Sequence, residues 1–175
     1  MANRPALRIA AAVAMVGILG GATAWAAQPP GRITARYDAT MEIGLTAGAG
    51  AVWFVTSGGT NGVVAIDPAS GKRRPTIPLG RRVDTSQEIY VGAVGMGALW
   101  LLHVGSTLYR IDAQRRTVVA KIGAPFDDRV TLGAGSVWLM SNVDEKVRRI
   151  DPSGGQTAAI HVPNPTRIAF GAGAV

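Results

Sequence analysis

The sequence predicts an all-β protein built from repeated four-stranded units, and three observations support this prediction. A motif that runs from Gly to Trp over six residues begins at Gly48, Gly95 and Gly133, and its first five residues return at Gly171. An Ile-Asp pair follows each Trp, and no window after residue 26 shows the apolar period of an amphipathic helix. Four short strands in roughly 40 residues, with a Trp in the second strand, are typical of a β-propeller blade.

The first 26 residues are predicted to be a secretory signal peptide. Arg4 and Arg8 precede an apolar run, and Ala24-Trp-Ala26 is a small-x-small cleavage site. The run is shorter than the ~20 residues of a spanning helix, so cleavage is favoured over retention as an anchor, although both remain open. We therefore expect a periplasmic or secreted protein with no membrane span after cleavage.

Residues 27–40 form an N-terminal segment before the repeats. Within it, Arg32 to Tyr37 could supply an outer strand that closes a blade. The partial propeller is predicted to occupy residues 41–175.

Each repeat contains four short stretches that are rich in β-branched or aromatic residues. In the third repeat we predict strands over 129–132, 136–140, 146–150 and 156–162. Gly133-Ala-Gly135 joins the first two strands, because two glycines permit the positive φ of a tight hairpin. Asp151-Pro-Ser-Gly154 joins the last two with favourable turn residues.

The repeat spacing predicts blades at about 41–80, 89–124 and 128–163, and a further blade that starts at 166. The Trp residues are 47 and then 38 positions apart. The excess falls in the polar stretch 81–88, which is predicted to be an enlarged inter-blade loop. Propellers need about four to eight blades, so three blades and the start of a fourth predict an incomplete ring. We expect a C-terminally truncated sequence whose full-length form is a monomer.

The repeat resembles the bacterial YVTN-type propeller repeats over about residues 42 to 175. The matching segments are Ile168-Ala-Phe-Gly171, Ala51-Val-Trp-Phe-Val55, Arg149-Ile-Asp-Pro152 and Val118-Val-Ala-Lys-Ile122. The sequence is also similar to the related streptogramin lyase propellers. This resemblance implies a propeller fold, and for the lyases it implies a metal-dependent site that uses His and Glu on the top face. In this sequence, His103 is the only residue that matches one of those residue types at an equivalent position.

Propeller ligands usually bind the loops at the top face, where the second strand of each blade ends and the next blade begins. His103 is the weak catalytic candidate, because it follows Trp100 where the other repeats place Thr56 and Ser141. A lone His without a partner is not an acid-base system. The candidate ligand-binding residues lie in the inter-blade loops and are Asp84, Glu88, Asp127, Asp128, Arg129 and Arg167.

Two of these sets have competing interpretations. Arg129 and Arg167 hold one repeat position and could form a positive ring, or they could pair with the acidic residues Asp127 and Asp128. Asp127 and Asp128, with Asp84 or Asp144, could bind a divalent cation such as Ca²⁺, or they could be solvated loop acids. The three repeated Trp residues are expected to fill the gaps between blades.

Composition excludes several chemistries. The chain has no Cys, which excludes disulfides, thiol catalysis and Cys-ligated metals. Its net charge of +7 would fall to +5 after cleavage, because two Arg and no acidic residue would be removed. The basic pairs near the last turn of each blade lack interleaved aromatic residues, so a solvated edge is favoured over nucleic-acid binding. These pairs are Lys72-Arg-Arg74, Arg115-Arg116 and Arg148-Arg149.

The sequence therefore predicts a secreted or periplasmic propeller that acts as a binding scaffold for a small molecule or a protein. The alternative is a metal-dependent lyase or hydrolase with its site on the top-face loops.

Overall fold

The computed structural model describes residues 42–56, 62–80 and 90–175, all within the compact unit Met41–Val175. Within these residues the secondary structure is entirely β, and no helix is long and apolar enough to cross a membrane. The predicted signal peptide, the strand at 32–37 and the loop at 81–88 lie outside the described residues.

Twelve strands form three antiparallel sheets of four, and in each sheet the strands lie in chain order. Blade 1 contains β1 (Glu42–Gly48), β2 (Ala51–Thr56), β3 (Gly62–Ile66) and β4 (Ile77–Pro78). Blade 2 contains β5 (Tyr90–Gly95), β6 (Ala98–His103), β7 (Thr107–Asp112) and β8 (Thr117–Gly123). Blade 3 contains β9 (Arg129–Gly133), β10 (Ser136–Ser141), β11 (Lys146–Ile150) and β12 (Gln156–His161).

The first strand of each blade is the innermost. Strands β1 and β5 lie side by side, and β5 and β9 do the same, so the blades are arranged around a common axis. Residues 165–170 continue this arrangement as an extended segment that ends in a small turn at Gly171 to Ala174. The three sheets do not close into a ring. The predicted all-β propeller with an incomplete ring is confirmed.

In the turn between the first two strands of each blade, the backbone φ angles of the two middle residues lie in the left-handed region. In blade 3 these are Ala134 at φ 47° and Gly135 at φ 66°, and the other blades repeat the pattern. Two successive positive φ angles define the hairpin turn that matches the strand twist. Only the second glycine of the motif lies in this turn, since Gly133 ends β9. The expectation that both glycines serve the turn is therefore wrong.

The first glycine of the motif makes room for the neighbouring blade. A Cβ atom at Gly48 would lie 2.7 Å from Cβ of Val94 in blade 2. A Cβ at Gly95 would lie 2.8 Å from Leu132, and one at Gly133 would lie 1.9 Å from the ring of Phe170. Real Cβ contacts are essentially never this short. Each inner strand therefore ends in a glycine because an apolar side chain of the next repeat packs against it.

Trp53 and Trp100 fill the gaps between blades, as predicted, whereas Trp138 is only partly buried. Trp53 belongs to an apolar cluster with Leu99 and Ile111 of blade 2, and Trp100 belongs to one with Val137 and other residues of blade 3. The indole N–H of Trp53 donates to the Gly48 carbonyl at 3.0 Å. Burying a large aromatic side chain contributes much of the stability of such an interface.

Candidate functional site

The described part of the top face consists of two hairpins and two inter-blade loops. The hairpins are residues 103–107 between β6 and β7, and 141–146 between β10 and β11. The loops are residues 124–128 after blade 2 and 162–166 after blade 3. We refer to these four segments together as the top rim.

Backbone hydrogen bonds join each hairpin to the loop that follows its own blade. Ala124 N–H donates to the Ser106 carbonyl at 2.8 Å, and Val162 N–H donates to the Glu145 carbonyl at 2.9 Å. Gly105 N–H also donates to the Asp127 carbonyl at 2.8 Å. Because these bonds occur at equivalent positions in two blades, they are a feature of the repeat, and they position the segments of the top rim. The loops are therefore held in place by the fold before any ligand binds.

A buried ion-pair cluster lies beneath the rim where blade 2 meets blade 3. Asp127 is 1% exposed, and its Oδ1 accepts a hydrogen bond from Nη1 of Arg148 at 2.6 Å. The other terminal nitrogen of Arg148 donates to Asp144. Lys146 lies 3.3 Å from the same carboxylate oxygen. Arg148 thus holds the inter-blade loop and the β10–β11 hairpin together.

The two carboxylates of this cluster have opposite pKa shifts. Burial raises the pKa of Asp127, and the charge of Arg148 and its hydrogen bond oppose that rise only in part. Burial also acts to raise the pKa of Asp144, but a hydrogen bond with Ser141 and the interactions with Lys146 and Arg148 outweigh it. The pKa of Asp144 is therefore lowered.

Sequence reasoning missed Arg148 as a member of this site. It placed Arg148 on the outer, lower edge, whereas Arg148 lies in mid-strand between Leu139 of β10 and Ala159 of β12. A signal was available, because the third strand of a blade begins at the top hairpin and Arg148 is only its third residue.

The other predicted residues of the top rim are dispersed. Arg129 lies 3.8 Å from the carboxylate of Asp128, and its side chain is 42% exposed. Arg167 is exposed in the extended segment after blade 3. Asp84 and Glu88 lie outside the described residues. The positive ring of Arg129 and Arg167 remains a prediction, although Arg129 does contact Asp128, one of the two acids named in the competing interpretation.

His103 ends β6 at the top rim and is partly buried. Its carbonyl accepts a hydrogen bond from Ser106 N–H at 3.0 Å, which closes the hairpin. His103 is thus placed where a rim ligand could reach it.

The residues that the structure describes do not fit a metal site. No group of three or more His, Asp or Glu side chains among them could hold an ion. Asp127 and Asp144 are drawn together by the Arg148 guanidinium. The predicted cation site at Asp127 and Asp128 gains no third ligand here, and its further candidate Asp84 is outside the described ranges.

Comparisons with solved structures return propellers. Virginiamycin B lyase from Staphylococcus aureus, solved as a catalytically inactive His-to-Ala variant with quinupristin, is 23% identical with a TM-score of 0.56 and covers 71% of this chain. A streptogramin B lyase structure is 19% identical with a TM-score of 0.59 and covers 75% of this chain. Hydrazine synthase from Kuenenia stuttgartiensis is 14% identical with a TM-score of 0.58 and covers 77%.

The match extends over only part of each of these proteins. This chain covers 42%, 45% and 40% of them respectively, which is less than half their length. No protein-family model matches the sequence. No curated protein matches it either. Identities this low establish the fold alone, and the chain is thus a β-propeller that resembles streptogramin B lyases in structure.

Proposed function

We propose that this chain is the ligand-binding part of a secreted or periplasmic β-propeller, and that the top rim contacts the ligand. The observation that carries the proposal is the repeated hydrogen bonding between hairpins and inter-blade loops. A rim that is already ordered loses little conformational entropy on binding. The signal-peptide pattern supports export, and the YVTN-type repeat pattern supports a binding role on a propeller scaffold.

The exposed side chains of the rim suggest the chemistry of the ligand. Val143 is 71% exposed at the tip of one hairpin, and Phe126 is 49% exposed in the loop after blade 2. The nearby cations Arg129 and Lys146 each pair with an aspartate, Asp128 and Asp144 respectively. The exposed apolar groups therefore favour a ligand that has an apolar body.

Octanoate is a simple probe of this chemistry. We expect NMR chemical-shift changes on octanoate addition to map to the top rim, and the double substitution Phe126→Ser with Val143→Ser to weaken binding by about tenfold. The matched control is Ile160→Ser, which removes a 50% exposed side chain from outer strand β12. Octanoate binding that persists in the rim variant, or that is lost equally in the control, would contradict the proposal.

The second candidate is a lyase-type enzyme, favoured by the position of His103 on the top rim. The Staphylococcus aureus neighbour was solved with quinupristin, so quinupristin is the natural substrate probe. On the scaffold proposal, incubation of the protein with quinupristin and a divalent cation leaves the mass of quinupristin unchanged. Turnover that disappears in His103→Ala would reject the scaffold proposal in favour of the enzyme.

A further inference from the structure

The third strands of the three blades carry different residues at one equivalent position. The residue that pairs with the first position after the repeated Trp is Val64 in blade 1, Tyr109 in blade 2 and Arg148 in blade 3. Val64 is fully buried, and Tyr109 packs against the apolar cluster between blades 1 and 2. The position therefore accepts an apolar or aromatic side chain, and blade 3 departs from the repeat by placing a cation there.

The loop residue that binds Arg148 departs from the repeat as well. The Trp residues of blades 2 and 3 are 38 positions apart, and the same interval separates Asp127 from Ile89. Ile89 lies outside the described residues, so this comparison is one of sequence. Tyr109 and Ile89 thus correspond to Arg148 and Asp127 in the repeat. The two departures meet in one hydrogen bond of 2.6 Å and are matched to each other.

Stability does not account for this ion pair. Replacing a buried ion pair with apolar residues of similar volume is often neutral or stabilising, because the charges no longer have to be taken out of water. The cluster also leaves one carboxylate oxygen of Asp128 and one of Asp144 buried without a hydrogen-bond partner. Apolar packing is non-directional, whereas a planar guanidinium fixes the orientation of the carboxylates that it binds. The ion pair therefore supplies geometry that an apolar pair would not.

Arg148 binds one aspartate in each of two segments of the top rim, and each aspartate follows an exposed apolar side chain. Phe126 precedes Asp127 in the inter-blade loop, and Val143 precedes Asp144 in the hairpin. Within the described ranges, no backbone hydrogen bond joins loop 124–128 to hairpin 141–146. The Arg148 side chain is thus the direct link between the two segments that carry Phe126 and Val143.

We propose that Arg148 is a positioning residue for the top rim, which acts through Asp127 and Asp144. It holds Phe126 and Val143 in one relative arrangement, and the apolar body of the ligand contacts both. This inference rests on the proposed function of the top rim. The Arg148 side chain is only 15% exposed, so its effect on the ligand is indirect. Segments that are held in place before binding lose less conformational entropy when the ligand binds.

The double substitution Asp127→Ile with Arg148→Tyr tests the positioning role, because it introduces the two residue types of the preceding repeat. It leaves the net charge unchanged, and we expect the urea midpoint of unfolding to stay the same or rise. We expect octanoate binding to weaken by about tenfold, and amide hydrogen exchange at Phe126 and Val143 in the ligand-free protein to accelerate by about tenfold. A purely structural role would leave both measurements unchanged when the midpoint is retained.

Asp144→Ala is a second variant, which removes one arm of the bridge and leaves the buried pair of Asp127 and Arg148 in place. We expect faster amide exchange at Val143 and octanoate binding that is weaker by about threefold to tenfold. Because Asp144 is less buried than Asp127, this variant tests the link without a large effect on folding.

The matched control is Arg149→Met, which removes the neighbouring cation of β11. Arg149 donates from Nε to Ser136 at 2.8 Å and stacks on Trp138 at 5.7 Å, so its contacts lie within blade 3. We expect octanoate affinity and amide exchange at the rim to change by less than about twofold in this variant.

The outcomes separate the positioning role from the proposed rim function. Octanoate binding that requires Phe126 and Val143 but is retained in the double variant would overturn the positioning role and leave the rim function standing. A urea midpoint that falls sharply in the double variant, unchanged exchange rates, or an equal effect of the Arg149→Met control would also overturn it. No octanoate binding by the unmodified protein would reject the rim function and the positioning role together.

Discussion

Arg148→Met is expected to lower the free energy of unfolding at pH 7 by about 3 to 5 kcal/mol. The substitution keeps the apolar stem of the side chain but removes the cation that binds Asp127 and Asp144. Asp127 would then carry an uncompensated charge in a site that is 1% exposed. Urea unfolding of the variant and the unmodified protein measures the difference.

The cost of Arg148→Met should depend on pH. Arg148 lowers the pKa of Asp127 against the effect of burial, so its removal raises that pKa further above the ordinary value. The folded variant then binds a proton more tightly than the unfolded chain, and its stability falls as pH rises through the interval between the two pKa values. The deficit should therefore be largest at pH 7 and smaller at about pH 4. A deficit that does not change with pH would contradict this explanation.

Arg129→Met is the matched control for this prediction. Arg129 also pairs with an aspartate at the top rim, but at 3.8 Å and with a side chain that is 42% exposed. Exposed pairs of this kind contribute about 0 to 1 kcal/mol. If Arg129→Met cost as much as Arg148→Met, the buried cluster would have no special role in joining blades 2 and 3.

Gly48→Ala is expected to cost about 2 to 4 kcal/mol of stability. The added Cβ would overlap Cβ and Cγ1 of Val94, both at 2.7 Å, and Cβ cannot move without a shift of β5 against β1. The backbone of Gly48 is also at φ 154°, which L side chains rarely adopt. Chemical denaturation followed by Trp fluorescence gives the value.

Gly171→Ala is the matched control, because Gly171 holds the same motif position in the last repeat. A Cβ there would have no neighbour within 4 Å. We expect a change within about 0.5 kcal/mol. Equal costs at Gly48 and Gly171 would show that the glycine serves its own turn and has no role between blades.

Strand positions could be predicted well from the sequence, because short alternating segments between glycine and proline turns specify them locally. In blade 3 the predicted strands 129–132, 136–140, 146–150 and 156–162 differ from the observed ones by at most one residue at either end. The inter-blade role of Trp53 and Trp100 was also predictable, since residues at one repeat position pack against equivalent parts of the next blade.

Contacts between distant side chains could not be predicted in the same way. The role of Gly95 depends on Leu132, which lies in the next inner strand and is not specified by the turn that Gly95 precedes. The Arg148 cluster joins a strand to a loop 21 residues earlier in the chain. The hydrogen bond from Arg116 to the Pro75 carbonyl requires the packing of blade 2 on blade 1.

The central claim is that the repeated motif encodes packing between blades, and a double-mutant cycle on Gly95 and Leu132 tests it most directly. Gly95 is the suitable glycine because its Cβ position meets a single neighbouring atom, Cδ1 of Leu132 at 2.8 Å. We predict that Gly95→Ala costs about 1 to 3 kcal/mol alone but close to nothing in the Leu132→Ala background. The same cost in both backgrounds would show that Gly95 and Leu132 are independent, and it would contradict the claim.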